Sequence, residues 1–93
     1  MDIIIKQLPP FKKAYKKLKP DYKKKVDRAI NNIVADPSIG EIKKGDLSGF
    51  CVYKFKLDHQ EILLAYNYTE PVLTLVVLGV HENFYRDLKR LVN

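Results

Sequence analysis

The 93-residue chain has one cysteine, two histidines and four glycines, and each scarcity rules something out. A lone cysteine makes no internal disulfide, and Cys51 lies in an apolar row, where it reads as a small core hydrophobe rather than a nucleophile. The histidines and the cysteine show no metal-ligand spacing, and no glycine-rich loop resembles a nucleotide cradle, so neither a metal nor a cofactor is expected. No apolar run reaches the ~20 residues that span a bilayer, and no charged start followed by a long apolar stretch marks a leader. The expectation is a cytoplasmic protein without a membrane partner.

What the chain does have is positive charge and short apolar segments. With 17 Lys and Arg against 11 Asp and Glu, its formal charge is +6, which suits a polyanion or an acidic protein as partner. The length and the 46% hydrophobic content fit one domain over residues 1–93.

Ile3, Ile4 and Ile5 form a β-branched run that ends before Pro9 and Pro10, as a first strand would. Phe11, Ala14, Tyr15 and Leu18 then mark one face of a helix of about two turns. After Pro20, the three- and four-residue spacings of Tyr22, Val26, Ala29, Ile30, Ile33 and Val34 predict a longer amphipathic helix. Together these two make a helical hairpin. Its lysines, among them Lys12, Lys13, Lys16 and Lys23, are either a solvated face or a landing surface for RNA phosphates.

Ser38 to Asp46 reads as a loop. Three strands are predicted beyond it, over about Ser48 to Leu57, Glu61 to Tyr68 and Val72 to Gly79, with bends short enough to make an antiparallel meander. A last helix runs from His81 to Val92, with Phe84, Leu88 and Leu91 on its apolar side. The predicted class is α+β, in the order β-α-α-β-β-β-α, with the helical hairpin on one sheet face and the other face left partly open.

Side chains alternate along a strand, so Cys51, Tyr53, Phe55 and Leu57 share one side while Lys54 and Lys56 share the other. A two-residue bend at Asp58-His59 or His59-Gln60 places Lys54 and Lys56 with Glu61, Leu63, Ala65 and Asn67, and places the odd row with Ile62, Leu64, Tyr66 and Tyr68 in the core. Two ammonium groups among apolar neighbours call for water or an anion close by. His81, where the last strand hands over to a helix, is either a partly exposed helix-start residue or a general acid or base beside that cationic face. His59 reads as a solvated turn residue.

The helical hairpin, Gly-Asp-Leu-Ser-Gly, Val-Tyr-Lys-Phe-Lys-Leu, Leu-Leu-Ala-Tyr and Leu-Gly-Val-His-Glu-Asn-Phe-Tyr together resemble the RelE/ParE superfamily of bacterial type II toxins over nearly the whole chain. The resemblance implies a RelE-like microbial RNase fold. It also implies either ribosome-dependent mRNA cleavage, as in the RelE, YafQ and HigB branch, or inhibition of DNA gyrase, as in the ParE branch. Its implied partners are a cognate antitoxin in a heteromeric complex, and the ribosome with its mRNA.

Carried over by position, Lys54 and Lys56 match the paired lysines of the RelE strand, His81 and Tyr85 resemble the histidine and aromatic pair of the YafQ branch, and Glu61 lies near an acidic position of YafQ. Leu63 and His81 stand where RelE has arginines. The implied chemistry is metal-free RNA transesterification, in which Lys54 and Lys56 stabilise charge and His81 acts as acid. Glu61 is either the base or a partner of Lys56, and Lys56 is a second candidate base. Tyr85 and Arg86 either stack on or orient a nucleobase and contact phosphate, respectively, or serve the helix surface.

Overall fold

The computed structural model describes residues 2–92. Strand β1 is Ile4–Gln7, helix α1 Pro9–Lys16, helix α2 Pro20–Ala35, strand β2 Glu41–Ile42, strand β3 Cys51–Leu57, strand β4 Gln60–Thr69, strand β5 Val72–Gly79 and helix α3 His81–Val92. The five strands form one sheet in the order β1-β5-β4-β3-β2. The meander β3-β4-β5 is antiparallel as predicted, while β1 joins β5 in parallel at the far edge.

Prolines set the helix starts. Both α1 and α2 open on a proline in the first turn, after an extended Leu8 and an extended Lys19 respectively. The fixed φ of proline suits that position, and its missing N–H would have had no helical partner there. The Tyr15 hydroxyl donates to Asp27 at 2.8 Å and ties the two helices together.

The hairpin covers one sheet face. Phe11, Val26 and Ile33 pack there on Leu57, Ile62, Leu64, Tyr66, Leu73, Leu75 and Leu78, so the core row is the one that parity predicts. Cys51, however, is only half-buried. A bulge in the β4–β5 pairing between Ala65 and Tyr66 leaves Val76 as the extra residue of β5, and both Val76 and Val77 then face the opposite layer.

That opposite face is not left open through its middle. Phe84 and Leu88 of α3 seal it against Leu47, Val52, Leu63, Ala65, Val76 and Val77, because an amphipathic helix buries its apolar stripe wherever an apolar sheet face is free. Leu91, expected on the same stripe, is 44% exposed. The segment read as a plain loop also holds more structure: a 3₁₀ turn at Pro37–Ile39, the two-residue strand β2, and a second 3₁₀ turn at Gly45–Leu47. Two residues of strand are too few for an alternation pattern to reveal.

Tyr66 holds this segment down. Its fully buried hydroxyl donates to the Pro37 carbonyl at 2.6 Å and accepts from the Gly40 N–H at 2.9 Å. The fit is tight enough that a Cβ on Gly40 would lie 2.6 Å from that oxygen. Burial first of all pushes the phenol up to about 12, against 10.0 for a free tyrosine. The unfolded chain therefore ionises first, and this part of the stability is complete below pH 10 and lost as pH rises towards 12, a loss of roughly 2–3 kcal/mol. Urea titrations of wild type and Tyr66→Phe across that range are expected to converge as pH rises. A gap that stays constant contradicts the assignment.

Candidate functional site

The register of the meander positions the charged groups. Lys54 faces Leu63, and Leu63 faces Gly79; one step along, Lys56 faces Glu61. The β4–β5 ladder ends at Gly79, opposite Leu63, and the chain leaves the sheet there to enter α3 at His81. Lys54, Lys56, Glu61 and His81 are all exposed. A Cβ on Gly79 would meet nothing within 4 Å, so the sheet is uncovered at that point.

The turn that aligns Lys56 with Glu61 is clamped from below. Asp58 adopts φ 58°, the left-handed conformation that an Asp tolerates in a two-residue hairpin. Its carboxylate accepts from the Tyr22 hydroxyl at 2.7 Å and from the Lys25 ammonium at 3.0 Å. These two donors, Tyr22 first, hold its carboxyl below the usual carboxylate range. Among the described residues Lys56 and Glu61 make no ion pair.

On α3, His81 and Tyr85 are four residues apart and share a helix face. Their rings meet edge-on at 5.2 Å, and Phe84 supports Tyr85 edge-on at 5.0 Å. The first turn closes on the Val80 carbonyl, which accepts from Asn83 and Phe84 at 3.2 and 3.0 Å. Arg86 lies outside this group, on the exposed side of α3, with its Nε 3.6 Å from Asp87.

Lys43 completes the cluster and was missed in the sequence. Its side chain is only 18% exposed, and its ammonium donates to Glu41 at 2.9 Å and stands 5.3 Å above the Tyr85 ring. The Glu41 carboxylate, followed by Tyr85, raises the Lys43 ammonium above its ordinary value, so it stays charged. Glu41 in turn is held low by Lys43 first, with a smaller contribution from Lys54. Three lysines thus border one strip of surface. In the sequence only the pairing of Lys43 with Lys44 marks the spot, and no period picks either out of a turn-rich segment.

The lysines of the hairpin lie elsewhere. Lys12, Lys13 and Lys16 are exposed on α1, and Lys23 of α2 covers the Tyr15 ring at 5.7 Å, all in the layer over the opposite sheet face. The structure does not bring them to Lys54 and His81. Among the described residues no group of three His, Cys, Asp or Glu is placed to hold a metal ion, and no helix is long and apolar enough to cross a membrane.

A five-stranded sheet with a helical hairpin on one face and a terminal helix on the other is the architecture of the RelE/ParE superfamily of type II toxins. The sequence pattern of the ParE-like toxins of type II bacterial toxin-antitoxin systems matches residues 5–89, and the chain belongs to that family. A mutant of E. coli RelE solved in the free state is similar over 100% of both chains, with TM-score 0.74 and 18% identity. A chain of the intact E. coli RelBE toxin-antitoxin complex is similar over 84% of this chain and 95% of its own, with TM-score 0.66 and 18% identity. The YoeB-YefM complex from Staphylococcus aureus also gives TM-score 0.66 and 18% identity, covering 87% of this chain and 99% of that one. No curated protein sequence matches.

Proposed function

We propose that the chain is a ribosome-dependent mRNA endonuclease that arrests translation, working by metal-free transesterification, and that a cognate antitoxin binds and neutralises it. The observation that carries this reading is the exposed Lys54 and Lys56 pair on β3, in register with Leu63 and Glu61 of β4, with Leu63 in turn facing Gly79, two residues before His81 opens α3.

The chemistry follows from where the charges stand. Glu61, without an ion pair to Lys56 among the described residues, takes the proton of the ribose 2′-hydroxyl. The 2′-oxygen attacks the adjacent phosphorus, and Lys54 and Lys56 stabilise the negative charge that gathers on the phosphorane. His81 donates a proton to the departing 5′-oxygen. The products are a 2′,3′-cyclic phosphate and a free 5′-hydroxyl. Lys43 covers a face of the Tyr85 ring and Tyr85 touches His81 edge-on, so we assign Tyr85 to orienting the imidazole rather than to stacking on a nucleobase. Lys43→Met, which keeps the length and loses the charge, is expected to slow mRNA cleavage about tenfold, a barrier change of about 1.4 kcal/mol, with Lys43→Arg retaining most of the rate. Equal rates for Lys43→Met and wild type, measured in a purified translation mixture, contradict this role.

A second reading, inhibition of DNA gyrase without cleavage of RNA, is favoured by the family match being to the ParE-like toxins. One experiment separates the two. Primer extension on mRNA from cells expressing the chain shows new ends if it is a nuclease, whereas gyrase poisoning gives covalent gyrase–DNA complexes and intact messages.

A further inference from the structure

A second cationic cleft lies on the far side of β3. On α2, Lys25, Arg28 and Asn32 are three and four residues apart and share one helix face. That face looks onto the outer edge of β3, which β2 pairs only at Cys51 and Val52. The cleft between them, about 220 Å³, is lined by Lys25, Arg28, Asn32, Tyr53, Phe55 and Lys56.

Lys25 is neutralised by Asp58 at 3.0 Å, but among the described residues Arg28 and Lys56 form no ion pair. Tyr53 and Phe55 lie with ring centroids 6.0 Å apart at 22°, and both are half-exposed. The Asn32 amide donates to the Tyr53 hydroxyl at 3.3 Å and steadies that ring. An unpaired guanidinium beside a pair of near-parallel rings is what a single nucleic-acid strand needs, phosphate on charge and base on aromatic.

We propose that this cleft is a second contact for single-stranded RNA: a phosphodiester lies against Arg28, and Tyr53 and Phe55 offer the stacking surface. Lys56 lines the cleft from the edge strand whose other face carries Lys54, so the strand passes over the edge of β3 from that face into the cleft. The proposal rests on the RNA-cleaving reading for the identity of the polymer. An extended acidic peptide is the competing occupant; its gain at a strand edge is backbone pairing, which leaves the ring pair without a role.

The test uses the full chain carrying Lys54→Ala and His81→Ala to prevent cleavage, with a fluorescein-labelled 12-nucleotide oligouridylate titrated from 50 to 300 mM salt. Arg28→Glu is expected to weaken binding about tenfold at 100 mM salt, and Arg28→Ala to reduce the slope of log Kd against log salt by about 0.7, the value for one phosphate contact on a single strand. Tyr53→Leu weakens binding several-fold without changing the slope. Lys12→Glu, the same charge reversal on α1, leaves binding nearly unchanged. Equal losses for Arg28→Glu and Lys12→Glu, no loss for Arg28→Glu, or Arg28-dependent capture of a poly-glutamate peptide with none of RNA, each overturn the proposal. Thermal midpoints equal to wild type, with Arg28→Lys retaining affinity, exclude misfolding as the cause. Cleavage is read separately, in a translation mixture, on the chain that keeps Lys54 and His81. Cleavage of mRNA by that chain together with undiminished affinity in Arg28→Glu sinks the cleft and spares the nuclease; Arg28-dependent RNA binding with no cleavage by the chain that keeps Lys54 and His81 does the reverse.

Discussion

Cells expressing the Lys54→Ala, Lys56→Ala, His81→Ala triple variant are expected to keep growing where wild type arrests, with no new mRNA ends, while the variant still copurifies with the antitoxin. All three side chains are exposed, so truncating them changes stability by only about 0.5 kcal/mol each. The effect on chemistry is far larger. Removing one preorganised charge from a developing oxyanion costs about 10²–10³ in rate, and removing a general acid costs about 10²–10⁴. Groups acting on one transition state are not additive, so the combined loss is at least about 10³ rather than the product of the three. His81→Ala alone should retain more activity in mildly acidic medium than near pH 8, because bulk acid then replaces part of the lost proton donor. Growth arrest by the triple variant at wild-type strength rules out these residues as the cutting machinery.

Phe84→Ala is expected to cost about 3–5 kcal/mol, a large share of the ~5–15 kcal/mol that holds a domain folded. The ring is completely buried, among Leu47, Val52, Leu63, Ala65, Val76, Val77 and Leu88, and it is the anchor that seats α3 on the sheet. Two losses combine when it is cut back: transfer of its apolar surface, and a cavity that a sheet on one side and a helix on the other cannot collapse. Because α3 carries His81 and Tyr85, a loosened helix also misplaces the proposed acid. Leu91→Ala on the same helix is the control; at 44% exposure it should change stability by about 0.5 kcal/mol or less. Urea denaturation midpoints measure both, and equal shifts would mean that α3 is held by something other than this contact.

The parts of the fold that repeat a period were legible, and those that do not were hidden. Val26, Ala29 and Ile33 recur at helical spacing and are buried as expected, and parity placed Lys54 and Lys56 on one face with Glu61 and Leu63, while the exact partners depended on which two residues form the bend. Parity depends on a regular ladder, and the β3–β4 hairpin supplies one through its two-residue turn at Asp58 and His59. The β4–β5 pair does not, and its bulge at Ala65 and Tyr66 is invisible in a strand that is apolar on both sides.

Which layer covers which face was the harder matter. Phe84 and Leu88 announce an apolar stripe, yet spacing does not say where the stripe docks, so the face expected to stay partly open proved covered through its middle. Lys43 was beyond reach because its role depends on contacts across the fold, with Glu41 two residues away and with Tyr85 forty-two residues on. Lys25, Arg28 and Asn32 did carry a readable signal in their helical spacing. It was masked by the surrounding lysines, since a charge that matters and a charge that solvates look alike until the neighbouring strand edge is known.

Whether the 2′-oxygen next to the broken bond is the attacking atom can be read directly from the ends it leaves. Messenger RNA cut in a purified translation mixture by the wild-type chain should carry 2′,3′-cyclic phosphate upstream and 5′-hydroxyl downstream, and a single 2′-deoxynucleotide at the cut position should abolish the cut. Fragments ending in 3′-hydroxyl and 5′-phosphate, or cleavage that proceeds through the deoxynucleotide, would contradict the account.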